Sequence, residues 1–108
     1  MSYSISMTKA ARRDLEEIYA RIAESDSPEQ ADDLLDQLSK TAENVATMPH
    51  RGARLSELPP GIAADYRQVF FKPYRVVYEV LPDEVAIHLI VDGRCNLRTA
   101  LQRRLAGA

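Results

Sequence analysis

Behind its first methionine the chain reads Ser-Tyr-Ser-Ile-Ser-Met, so Tyr3, Ile5 and Met7 alternate with serines at 2, 4 and 6. Successive side chains leave a strand on opposite faces, and a period of two predicts a half-buried β-strand. The period then changes. Ala11, Leu15, Ile18 and Ile22 recur at spacings of four, three and four, with Arg12, Arg13, Glu16 and Glu17 on the other side. This predicts an amphipathic helix over roughly 9–24 with Thr8 as its N-cap. Ser27-Pro28-Glu29-Gln30 is a second start signal: a capping serine, a proline suited to the first helical position, and a glutamine where a capping box wants one. Ala31, Leu34, Leu35, Leu38, Ala42 and Val45 carry that stripe to about Met48, where Pro49 stops it.

Residues 49–65 hold Gly52, Pro59, Pro60 and Gly61 and show no period; a connection this long in a small domain is usually functional or mobile. Three strands are predicted beyond it, at 66–71, 74–81 and 84–91. Lys72-Pro73 and Pro82-Asp83 punctuate them, as in an antiparallel meander. Val85 to Val91 is nearly continuous apolar sequence, the pattern of a strand covered on both faces. A last helix is predicted at 96–105, with Asn96 as cap and Leu97, Leu101 and Leu105 on one face. The order describes one α+β domain over residues 1–108: an N-terminal strand, a helical hairpin, a three-stranded antiparallel meander and a short C-terminal helix.

Composition narrows the chemistry. At 108 residues, 45% hydrophobic and 28% charged, the chain fits one globular domain. No apolar run approaches the ~18 residues of a membrane helix, and the start lacks a signal-peptide layout. The one cysteine, Cys95, excludes an internal disulfide and a cysteine-based zinc cluster. The expectation is a cytoplasmic, metal-free domain with no cofactor and no membrane partner. Net charge is −2, but residues 1–50 carry five Lys/Arg against ten Asp/Glu and residues 51–108 carry nine against six. Two surfaces with different partners would have this asymmetry, whereas the strongly basic footprint of a nucleic-acid binder is missing.

Four stretches together resemble a known family. They are the opening strand with TKAARRDLEEIYARIAE, then SPEQADDLLDQL, then MPHRGARLSELPPGIAADYRQVFFKPYRVVYEV, and finally IHLIVDGRCNLRTALQRRL. In that order, and with Pro49-x-x-Gly52 followed by Tyr66-Arg67 and by PYRVVYEV, they resemble the RelE/ParE superfamily of toxins from type II toxin–antitoxin systems. The resemblance implies a small sheet with a concave face and a cognate antitoxin whose C-terminal segment wraps the toxin in a hetero-oligomer. It also implies one of two activities. RelE-like members cleave mRNA in the ribosomal A site; ParE-like members bind DNA gyrase and trap it on DNA without hydrolytic chemistry.

Metal-free RNA cleavage needs a base for the 2′-hydroxyl, an acid for the leaving oxygen and cations for the phosphorane. Arg75 and Arg94 match arginines that clamp phosphate in RelE-like enzymes. The tyrosine that those enzymes carry in the last helix falls at Ala100, which transfers no proton. His88 is the obvious replacement, placed by alternation with Ala86 and Ile90, opposite Val85, Ile87, Leu89 and Val91; a lone strand histidine is more often a hydrogen-bonded core or rim residue. Tyr66, Tyr74 and Tyr78 read as packing residues, Glu57 and Glu79 are bases by residue type only, His50 reads as a surface residue in the loop after Pro49, and no His or Asp spacing completes a nucleophilic set around Cys95. The missing tyrosine and the acidic balance favour the ParE-like reading, as does the VDGRCNLRTALQRRL tail. Arg67, Arg75, Arg94 and Arg98 are the candidate contacts with target or antitoxin. For Arg75 a second reading stays open: a stem laid over Phe70 and Tyr74, with its charge paired to Glu79 or the C-terminal segment. A ribosome-dependent nuclease using Arg75, Arg94 and His88 is the alternative function, and a degenerate toxin retaining only antitoxin binding is the second.

Overall fold

Five strands form one sheet in the order β1-β5-β4-β3-β2 in the computed structural model, which describes residues 2–56, 58 and 64–107. The elements are β1 (Ser4–Met7), α1 (Lys9–Ser25), α2 (Pro28–Thr47), a 3₁₀ turn (Pro49–Arg51), β2 (Ala53–Arg54), β3 (Tyr66–Phe71), β4 (Tyr74–Val80), β5 (Glu84–Asp92) and α3 (Leu97–Gly107). The meander β3-β4-β5 is antiparallel throughout, and β1 lies parallel to β5 with Ser4 opposite Glu84 and Met7 opposite Ile87. A parallel neighbour requires a crossover, and the α1–α2 hairpin followed by the meander supplies it.

Local chemistry starts the helices where the sequence says. Thr8 Oγ1 accepts from the Ala11 amide at 3.0 Å, Ser27 Oγ from Gln30 at 3.1 Å, and Asn96 Oδ1 from Thr99 at 3.1 Å. Each bond satisfies one of the donors that a helix start leaves free.

The sheet has a core on each face. Ala11 and Ile18 of α1 and Leu34, Leu38 and Val45 of α2 pack on Tyr74, Val76, Tyr78, Val85, Ile87 and Ile90. On the reverse, Leu97 and Leu101 of α3 cover Tyr66, Val77 and Leu89, with Leu55 beside them. Burying each Leu, Ile or Val among them contributes on the order of 1.5–3 kcal/mol, which fixes both helical layers on the sheet. The β3–β4 turn is the Lys72–Pro73 pair, joined by a cis peptide.

Two features depart from the sequence expectations. β2 was unanticipated: two residues, Ala53 opposite Gln68 and Arg54 opposite Arg67, form a strand by edge pairing alone, without any apolar pattern to announce them. Within β5, Val77 pairs with Leu89 while Tyr78 pairs with Ile87, leaving His88 as the extra residue of a β-bulge. Strict alternation puts His88 with Ile90, opposite Leu89 and Val91. The bulge reverses this: Ile90 faces the hairpin, while Leu89 and Val91 join the α3 face. Glu57 and residues 59–63 of the long connection lie outside the described residues.

Candidate functional site

Arg75 stands on the α3 face of β4, opposite Val91 of β5 and Phe70 of β3. Its guanidinium carbon lies 5.2 Å from the centre of the Phe70 ring, and its Nε is buried without a hydrogen-bond partner. The stem-over-Phe70 arrangement is therefore present, but Tyr74 packs in the hairpin-side core and Glu79 bonds elsewhere. Phe70 remains 59% exposed, because α3 covers only the part of this face around Tyr66, Val77 and Leu89. Arg94 follows at the same end of the sheet. The Gly93 amide donates to the Pro73 carbonyl at 2.7 Å, holding the turn after β5 against the β3–β4 turn.

Arg94 is paired to its own neighbour. Its Nε and Nη2 each donate to Asp92 at 3.1 Å and its backbone N–H at 2.9 Å, although the side chain is 91% exposed. The guanidinium bonds, then the amide bond, hold the Asp92 carboxyl down at about 2, against an ordinary 3.8. Arg98, in the first turn of α3, is exposed and makes no hydrogen bond or ion pair among the described residues.

His88 is built into the bulge beneath α3. Its Nε2 lies 3.1 Å from Glu79 Oε1, and its ring meets Tyr66 edge-on with centroids 5.2 Å apart. Burial, and then the Glu79 carboxylate, raise the Tyr66 pKa. The backbone around His88 is held from both sides of the sheet. Arg104 Nη1 of α3 donates to the His88 carbonyl at 2.6 Å, and Asp14 Oδ2 of α1 accepts from the Ile90 amide at 3.0 Å. Arg104 and Asp14 in turn pair through bonds of 3.0 and 2.9 Å. The sequence reading missed this pair, yet a signal existed. Asp14 falls on the apolar stripe of Ala11, Leu15 and Ile18, and Arg104 on that of Leu97, Leu101 and Leu105. A charge inside each of two buried stripes requires a partner.

The Pro49-x-x-Gly52 turn is wired to the sheet. The buried Tyr78 hydroxyl donates to the Pro49 carbonyl at 2.8 Å and accepts from the Gly52 amide at 3.1 Å. Glycine is required by space: a Cβ at position 52 would overlap that hydroxyl and lie 2.8 Å from the Gln68 carbonyl. Arg67 donates from Nη1 to the carbonyls of His50 and Gly52 at 3.1 and 3.0 Å, and from Nε to Asp65 at 3.0 Å. Of the four candidate arginines, then, Arg67 is turned inward and largely buried, Arg75 supports an exposed ring, and Arg94 and Arg98 face solvent.

Comparison with known proteins decides the family. Residues 5–94 match the family described as the ParE toxin of type II toxin–antitoxin system, parDE. The chain belongs to the ParE toxin family. It is 27% identical over 97 residues to toxin ParE3 of Caulobacter vibrioides, covering 90% of this chain and 93% of that one. The fold is shared with a chain of the chromosomal ParDE toxin–antitoxin system of P. aeruginosa (TM-score 0.66, 20% identity, 84% of this chain and 96% of that one). It is also shared with a mutant of E. coli toxin RelE in the free state (TM-score 0.59, 15% identity, 99% and 98%).

For a ParE-family chain the α3 face is informative. Ala100 packs half-buried against the core of Leu97 and Leu101. Among the described residues no three His, Cys, Asp or Glu side chains cluster as metal ligands, and no helix is long and apolar enough to cross a membrane. A groove of about 410 Å³ runs between β1 and the hairpin, lined by Ile5, Met7, Leu15, Leu35 and Leu38, with Glu43 as its charge. Ile5 and Leu35 are 43% and 37% exposed there.

Proposed function

We propose that this ParE-family toxin acts by binding DNA gyrase and holding it on DNA, in the cytoplasm, and that a cognate antitoxin neutralises it in a hetero-oligomer. The observation that carries the reading is the state of the groups a nuclease would need. His88 is tied to Glu79 and Tyr66 beneath α3, Arg94 is neutralised by Asp92, and alanine occupies position 100. General acid–base catalysis requires a proton donor and acceptor within reach of the substrate, whereas a protein poison requires only a complementary surface. Arg75 and Arg98 are the cations we assign to contact with the target near the exposed Phe70 ring, and Arg94 joins them on exchanging Asp92 for an acidic group of that target. Arg67 acts through the turn it holds.

The apolar groove beside Ile5 and Leu35 suits the antitoxin. An amphipathic helix laid there would bury apolar side chains that the fold leaves exposed, and a Lys or Arg of that helix would meet Glu43. The solved RelBE2 toxin–antitoxin complex of Mycobacterium tuberculosis has the same fold (TM-score 0.61, 22% identity, 85% of this chain and 92% of that one), which supports a partner of this kind.

The test is a supercoiling reaction with purified gyrase, relaxed plasmid and ATP. Loss of supercoiled product on adding the toxin is expected; normal supercoiling at toxin excess removes the reading. In a parallel translation reaction the message stays intact by primer extension, whereas cuts within codons would establish the ribosome-dependent alternative.

A further inference from the structure

The Pro49–Arg51 turn is exposed at His50 and Arg51, yet four hydrogen bonds shared with Tyr78 and Arg67 immobilise it. What the turn presents outward is Arg51, a cation with no side-chain hydrogen bond or ion pair among the described residues. It stands on a groove of about 370 Å³ between the C-terminal half of α2 and the edge of β3. Thr41, Asn44, Gln68 and Phe70 also line this groove, and among the described residues Arg51 is its single ionisable side chain.

Among the described residues the sheet edge is open at the same place. β2 pairs with β3 only at Gln68 and Arg67. The Tyr66 carbonyl accepts from Leu55 of the β2 side, while the Asp65 carbonyl accepts from Val80 of β4. Backbone groups alternate in direction along a strand, so the N–H and C=O of Phe70 point toward the β2 side, past the end of β2. An unpaired strand edge with an exposed aromatic is a template for another chain.

We propose that this groove docks an extended acidic segment of the target protein, which adds to the sheet beside Phe70 and sets a carboxylate on Arg51. This rests on the target-binding reading above. The Arg51 guanidinium matches a carboxylate with two parallel hydrogen bonds; side chains of an added strand alternate between the two faces, so the neighbours of that carboxylate meet the Phe70 ring on the α3 face, where Arg75 backs it. Charge assigns the occupant. The groove by Ile5 and Leu35 is apolar with an acid at its wall, whereas this one mixes Thr41, Asn44 and Gln68 with Val69 and Phe70 and carries a cation, so the two fit different partners. The first takes the antitoxin helix and the second takes the target.

The test compares wild type with Arg51→Glu, Phe70→Ser and Thr41→Trp, the last filling the groove from α2. Arg13→Glu, a charge reversal on α1, is the control. Circular dichroism and melting establish that each variant is folded, and a variant that fails to fold leaves the others to decide. The concentration that half-inhibits purified gyrase is expected to rise about tenfold or more in the three groove variants and to stay unchanged in the control. Folded groove variants as potent as wild type overturn the inference while the gyrase reading stands. If wild type leaves gyrase untouched, growth arrest on expression decides. Arrest lost in the groove variants upholds the groove for another target, arrest retained overturns it, and a wild type that arrests nothing overturns both.

Discussion

Asp14 and Arg104 lie 90 residues apart and meet through hydrogen bonds of 2.9 and 3.0 Å, at the point where β1 ends and the β5 edge is left open. Together they act as a surrogate for the missing strand: the carboxylate accepts from the Ile90 amide and the guanidinium donates to the His88 carbonyl. Asp14→Ala or Arg104→Ala therefore strips a partner from a largely buried charge and from a backbone group. Each is expected to cost about 1–3 kcal/mol in urea unfolding. The double variant is expected to cost less than the sum of the two, and strict additivity would contradict the coupling.

Tyr78 ties the β4 core to the Pro49–Gly52 turn. Tyr78→Phe leaves the Pro49 carbonyl and Gly52 amide unpaired, at about 1–3 kcal/mol. Gly52→Ala alone is expected to cost more, and to be partly relieved by Tyr78→Phe, because the hydroxyl is the first atom the new methyl meets. Burial raises the Tyr78 pKa, partly offset by the Gly52 amide bond. The stability this contributes is fully present below pH 10 and is lost as pH rises through the folded value, an alkaline limb that Tyr78→Phe should flatten.

Asp92 and Arg94 give a titration with a defined direction. The aspartate pKa is depressed to about 2, so the pair's contribution is present above pH 3.8 and disappears as pH falls toward 2. Carbon-detected NMR titration of Arg94→Ala should find the Asp92 carboxyl raised toward the ordinary aspartate range, short of it by what the retained residue-94 amide bond contributes. A value still near 2 would show that Arg94 is not the cause.

His88 is expected to matter for stability and not for poisoning. His88→Ala removes the Glu79 partner and the Tyr66 edge contact, lowering the melting temperature. Inhibition per folded molecule should stay at the wild-type level, and loss of toxicity in a fully folded His88→Ala protein would argue for a catalytic role.

The helices were legible because their signals are local: Thr8, Ser27 and Asn96 each cap within three residues, and a stripe such as Ala11, Ile18 and Ile22 has one periodic solution. The meander followed from Lys72-Pro73 and Pro82-Asp83 for the same reason. What the sequence hid is non-local. β2 exists because β3 offers it an edge, and the bulge at His88 depends on the register of two strands, so alternation put Ile90 on the wrong face. Arg75 illustrates a limit of residue type, since Glu79 was an available partner by alternation and His88 took it. The Asp14–Arg104 pair was readable in principle, as two charges lodged in apolar stripes, but only the fold says that they meet.

The central claim is that this toxin acts by occupying a surface and not by turning over a substrate, and a titration against time separates the two most directly. With gyrase fixed and toxin increased stepwise, a surface poison gives inhibition that saturates with the amount of complex and does not advance on longer incubation. Damage that continues to accumulate with time at substoichiometric toxin, in either a gyrase or a translation reaction, would contradict the account.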